Sequence, residues 1–131
     1  MTRRVTLLAA TVLASAAVGR VSGQSPATPD SAADHAALGR KLFEGKGLCF
    51  SCHGKNGEGV LAPSTRLVGR ALVHSKPTLA EVAALIRTGI DSAHSSNGVV
   101  MPARGGSRLT DAEVEAVAGY VLELQKRKKP N

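Results

Sequence analysis

Apolar positions fall at helical spacing in three stretches. Between Ser31 and about Lys46, Leu38, Leu42 and Phe43 share one face, with Gly39 four residues before Phe43. Ser31 or Asp34 is placed to cap that segment, and Gly45 and Gly47 to end it. A second helix begins at Thr78, where Thr78 and Glu81 have capping-box spacing. Leu79, Val82, Ala83 and Ile86 then follow in register, and Gly89 stops it. In the third, Thr110 and Glu113 repeat the box and Asp111 suits the N-terminal dipole. Its apolar stripe is Val114, Val117, Ala118, Val121 and Leu122. Gly54 to Pro77 and Ile90 to Ser107 show no sustained period and read as loops. With no internal repeat and no alternating strand pattern, the expected fold is all-α.

The first residues belong to a different kind of segment. Arg3 and Arg4 precede an apolar run from Val5 to Val18, and Val21, Ser22 and Gly23 then suit a cleavage site before Gln24. This is the pattern of a secretory signal peptide over residues 1–23. The competing reading is a retained anchor, but the run is shorter than the roughly 20 residues a spanning helix needs. Residues 24–34, rich in Ser, Pro and Ala, read as a flexible linker. The folded domain is expected over residues 35–125, with a basic tail at 126–131, and the mature chain is expected in the periplasm without stable membrane insertion.

Export changes the meaning of the charge. The whole chain carries a formal +7. Removing Arg3, Arg4 and Arg20 leaves +4, which Lys126, Arg127, Lys128 and Lys129 account for. The body is then near neutral, so the charge gives no case for nucleic-acid binding. With no Trp, one Tyr and two Phe, the chain also lacks a base-stacking platform and has few bulky side chains to fill an interior. A large apolar cofactor would supply the missing volume.

Cys49-Phe50-Ser51-Cys52-His53 is the chain's only C-x-x-C-H. Two thiols at this spacing match the two vinyl groups of a haem, and the next residue sets an imidazole under the iron. This is the c-type haem attachment signature. Three other uses of the two cysteines stand beside it: a structural disulfide, a redox C-x-x-C, and part of a zinc site. Given a haem, Met101 is the candidate sixth ligand. It is the one Met left after signal removal and stands in the loop "GVVMPARGG" before Pro102. Soft thioether sulfur favours ferrous iron. His94 is the alternative; His35 and His74 read as surface residues.

The chain resembles the class I monohaem cytochromes c from about Ala36 to Leu124. The resemblance rests on an ordered set: Gly39 and Phe43, the attachment loop through Gly54, Gly57 and Gly59, Met101-Pro102, and Gly119-Tyr120-Val121. It implies three to five helices wrapped around one covalent haem c, held through Cys49 and Cys52 with His53 and Met101 on the iron. It further implies that the last helix crosses the first at Gly39 and Phe43, and that the Pro63 carbonyl accepts the Nδ1 proton of His53. The family's P-x-L-x-G pattern is not met, because Leu67 comes two residues late; whether Arg66 or Arg70 approaches the haem propionates stays open.

A six-coordinate iron leaves no position for a substrate, so the expected role is a one-electron carrier serving redox partner proteins, not an enzyme. The alternatives are a haem subunit of a larger dehydrogenase or oxidase, and a gas sensor or peroxidase in which Met101 leaves the iron.

Overall fold

The computed structural model describes residues 32–128. The segment read as a signal peptide, Ser31 as a cap, and Lys129 onward lie outside the described residues. Four helices follow in order: α1 (Ala32–Glu44), α2 (Phe50–His53), α3 (Leu79–Thr88) and α4 (Asp111–Lys126). Short 3-10 turns at Pro63–Thr65 and Ala103–Gly106 interrupt the two long loops. Extended pairing among the described residues is one antiparallel bridge, Ile90 to Met101. The all-α expectation holds.

α4 is the spine, packing against both α1 and α3. A Cβ on Gly39 would come within 1.9 Å of the Ala116 carbonyl oxygen, so the α1–α4 crossing exists because residue 39 has no side chain. Beside it Phe43 meets Tyr120 edge-on, with centroids 5.3 Å apart and planes at 71°. The Tyr120 hydroxyl, buried at the same crossing, donates to the Lys55 carbonyl at 3.3 Å. That bond fastens α4 to the loop after the C-x-x-C-H motif.

The helices differ from the sequence expectation in several details. Leu38 is 37 % exposed while Leu42 and Phe43 are buried. The crossing is centred on Gly39, and at about 100° per residue Leu38 falls outside the arc that α4 covers. α1 starts at Ala32, directly after the candidate cap Ser31, and so runs into the stretch read as linker, with Asp34 in its first turn and not at its cap. It ends at Glu44, two residues before Lys46. The left-handed residue in the exit turn is Leu48 (φ 56°) rather than either glycine. On α4 the buried set is wider than one stripe, adding Ala116, Tyr120 and Leu124, because two helices cover it from different sides.

The caps follow the sequence with one exception. At α4, Thr110 Oγ1 accepts from Glu113 N and Glu113 returns the bond to Thr110 N at 2.8 Å. At α3, Thr78 Oγ1 accepts from Glu81 N, but the Thr78 N–H already donates to Lys76 O at 2.8 Å, so Glu81 has no donor to reach. Glu113 also binds Lys46 Nζ at 2.7 Å, tying the exit of α1 to the start of α4.

Lys46, followed by the Thr110 backbone, holds the Glu113 carboxyl below its ordinary value. A lowered folded value means stabilisation that is complete above the unfolded carboxylate range, near about 4.3, and lost as pH falls through the folded value. Glu113→Gln keeps the capping box and removes the charge. Acid unfolding followed by circular dichroism is expected to show a shallower loss of stability below about pH 4 in this variant; an unchanged pH slope would remove Glu113 from the acid response.

Candidate functional site: a cleft between two loops

α2 is a single turn, and its loop folds back over it. Cys52 O receives Val60 N and Leu61 N, each at 3.1 Å, and His53 O receives Gly59 N at 2.7 Å. Thr65, buried at the end of the Pro63–Thr65 turn, sets its hydroxyl 2.8 Å from the same Cys52 carbonyl. These bonds hold Cys49, Cys52 and His53 in one rigid unit.

His53 Nδ1 lies 2.5 Å from the Thr65 carbonyl oxygen. A carbonyl only accepts, so the proton sits on Nδ1 and the Nε2 lone pair is free. Burial pushes the imidazole below its ordinary value, and the Thr65 bond partly opposes this. Phe43 stands beside the ring at 6.1 Å between centroids. The expected partner, Pro63, does not take this role. Its carbonyl opens the 3-10 turn and is used by Arg66 N and by Arg70 Nη1 at 2.9 Å. Two residues on, the Thr65 carbonyl is the one turned toward the ring.

Met101 comes from the other loop. Its backbone exchanges two hydrogen bonds with Ile90, at 2.8 and 2.9 Å. Gly89, the C-cap of α3 (φ 73°), presses so closely that a Cβ there would lie 2.2 Å from the Met101 carbonyl oxygen. The side chain is half-buried and packs against the core.

Cys49, Cys52, His53 and Met101 all line one partly open cleft. Leu48, Ile90, Val99 and Val100 supply apolar walls, and Ser64, His74, Ser96 and Asn97 a polar one. The donor set and the shape fit a haem with two thiols at its edge, a neutral imidazole and a thioether.

The competing uses of the cysteines find less support. Cys49 and Cys52 are not joined to each other by a disulfide. Burial, the main cause, pushes Cys49 up to about 11, opposite to the lowered value a redox C-x-x-C needs. Among the described residues no three His, Cys, Asp or Glu side chains are grouped to hold a metal ion.

The remaining candidates separate clearly. His94 is exposed and bound to Asp91 at 2.7 Å, away from the cleft lining. His74, read from sequence as a surface residue, is exposed yet contributes to the cleft's polar wall, with Nε2 3.4 Å from Ser96 Oγ. Arg66 and Arg70 line a separate recess with Glu58 and Val60. The polar groups that face the cleft are therefore uncharged hydroxyls and an amide together with His74, and no spacing in the sequence points to them.

The family model described as cytochrome c oxidase, cbb3-type, subunit III matches residues 34–121. The chain belongs to this family. No curated protein and no solved structure matches it. Its matched segment is a class I-type monohaem cytochrome c domain, a family of haem-based electron carriers whose members serve redox partners. The cytochrome domain's matched span holds the attachment motif and Met101, and it ends within α4 at Val121. Among its described residues no helix is long and apolar enough to cross a membrane.

Proposed function

We propose that this cytochrome is a one-electron carrier whose haem c is attached through Cys49 and Cys52 and ligated by His53 and Met101. It works in the periplasm after loss of residues 1–23. The observation that carries the reading is the single cleft lined by all four side chains. When bound, the haem supplies one reversibly exchanged electron. His53 offers Nε2 because Thr65 fixes the proton on Nδ1. Met101 offers its thioether from a backbone fixed by Ile90 and Gly89. Ligation by both His53 and Met101 would leave a bound haem iron no position for a substrate, which suits a carrier rather than a catalyst.

The test is a reduced and an oxidised spectrum of the exported protein. Expected are sharp bands typical of covalent low-spin haem in the reduced form and a sulfur-to-iron charge-transfer band in the oxidised form. Rapid reaction of the ferrous protein with carbon monoxide would contradict the closed sixth position. A second reading, a haem subunit of a larger oxidase, is favoured by the description of the matching family. Native extract separated by size distinguishes the two: pigment travelling with a large complex supports the subunit, and a free monomer supports the carrier.

A further inference from the structure

The turn that carries Met101 is held from two sides by different means. Toward α3 it has the Ile90 bridge and the close approach of Gly89. On the other side none of Ala103–Gly106 is buried, and apart from the close approach of Gly105 to the Gly47 carbonyl and of Gly89 to Ala103, packing does not hold this part of the loop. Polar contacts do, and one residue makes most of them. Arg104 has left-handed backbone angles (φ 53°, ψ 28°), where a side chain is disfavoured and glycine is at ease. Gly105 and Gly106 follow in the same region. An arginine between Ala103 and two glycines is locally the wrong residue, and its contacts show what it does there. Nη1 donates to the Leu109 carbonyl at 2.7 Å and Nη2 to Asp111 Oδ1 at 2.7 Å. The same Asp111 oxygen accepts from Arg87 Nε at 3.3 Å, and Arg87 Nη2 reaches Glu115 Oε1 at 3.0 Å. Ser107 Oγ donates to the Arg104 carbonyl at 2.6 Å, closing the turn.

We infer that Arg104 is a positioning residue for the iron's sixth ligand: its guanidinium fastens the turn after Met101 to the start of α4, and through Asp111 to Arg87 of α3. The inference rests on the reading of Met101 as that ligand. Any outward movement of the turn that carries Met101 would break these bonds, so they oppose it. With a haem bound, Arg104 would limit how often Met101 withdraws from it, without itself touching the group.

Imidazole added to the ferric holoprotein measures that opening, because it enters only when Met101 is away. Arg104→Gly suits the left-handed backbone and removes the tie, but also adds the freedom of a third consecutive glycine, so Asp111→Asn, which leaves the turn's backbone untouched, is made beside it. Arg104→Gly is expected to speed imidazole entry about tenfold, the scale of a charge-assisted pair of bonds at a part-exposed site. Asp111→Asn is expected to act in the same direction, and the double variant to add little beyond Arg104→Gly, since both break one network. Arg40→Ala, which removes the remote Arg40–Glu44 pair on α1, is expected to leave the rate unchanged. If the ferric wild type shows no sulfur-to-iron band, the reading of Met101 fails and the inference with it. If the band is present and Arg104→Gly takes up imidazole at the wild-type rate, the inference alone is overturned. Should Arg104→Gly fail to fold, Asp111→Asn decides by the same comparison.

Discussion

Met101→Leu is expected to open the sixth position while the protein keeps its pigment. Leucine conserves the volume of the half-buried side chain, so the packing cost stays below about 1.5 kcal/mol. What is lost is the sulfur. The oxidised protein should lose its charge-transfer band, and the reduced protein should bind carbon monoxide, which the wild type is expected not to do. Because thioether ligation favours ferrous iron, the reduction potential should fall. Met101→Ala should do the same and, by leaving a gap against the core, also lower stability by about 2 kcal/mol, the lower end of the range for such truncations, since the side chain is only half-buried. A Met101→Leu protein that keeps the band, or that still excludes carbon monoxide, would place another side chain on the iron.

Gly39→Ala is expected to have the largest effect on stability of any single methyl group added to this chain. The new Cβ would sit 1.9 Å from the Ala116 carbonyl oxygen and 2.6 Å from its carbon. Both are helix backbone, with no flexible end to turn aside. α1 and α4 would have to separate, loosening the Phe43–Tyr120 contact on the same crossing. Overpacking of this kind costs about 3 kcal/mol. Gly119→Ala is the matched control, because the resemblance sets Gly119 in the same crossing. A Cβ there meets nothing within 4 Å, and residue 119 is interior to α4. Replacing a helical glycine by alanine in open space should stabilise by about 0.5–1 kcal/mol. Denaturant unfolding of the two variants should therefore move in opposite directions. A shared sign, or a neutral Gly39→Ala, would contradict the account of the crossing.

These two glycines show what was legible in the chain and what was not. Both stand at positions matching the same family pattern, yet only Gly39 lies under a neighbouring backbone, and that depends on where α4 crosses. Local chemistry was readable: the Thr110–Glu113 box forms in full because both partners are within one turn. The attachment motif was readable because two sulfurs and an imidazole must be neighbours to meet one porphyrin. Met101 could be singled out by being alone and before a proline. Features set by distant groups were not readable. Thr65, not Pro63, faces His53 because a 3-10 turn reverses which carbonyl points inward. Tyr120 and Leu124 are buried because a second helix covers α4. His74 and Asn97 reach the cleft from loops without any period, while Arg66 and Arg70 turn into another recess. Leu48 and Arg104, both left-handed, stand beside glycines that would have been the easier choice, so neither position could be found from residue type.

The most direct measurement is the intact mass of the denatured, exported protein, taken before and after treatment with a thiol-alkylating reagent. A chain beginning at Gln24 and one haem heavier, with neither sulfur alkylated, is the predicted result. A colourless chain at the bare polypeptide mass, with Cys49 and Cys52 both alkylated, would contradict a porphyrin joined to this protein.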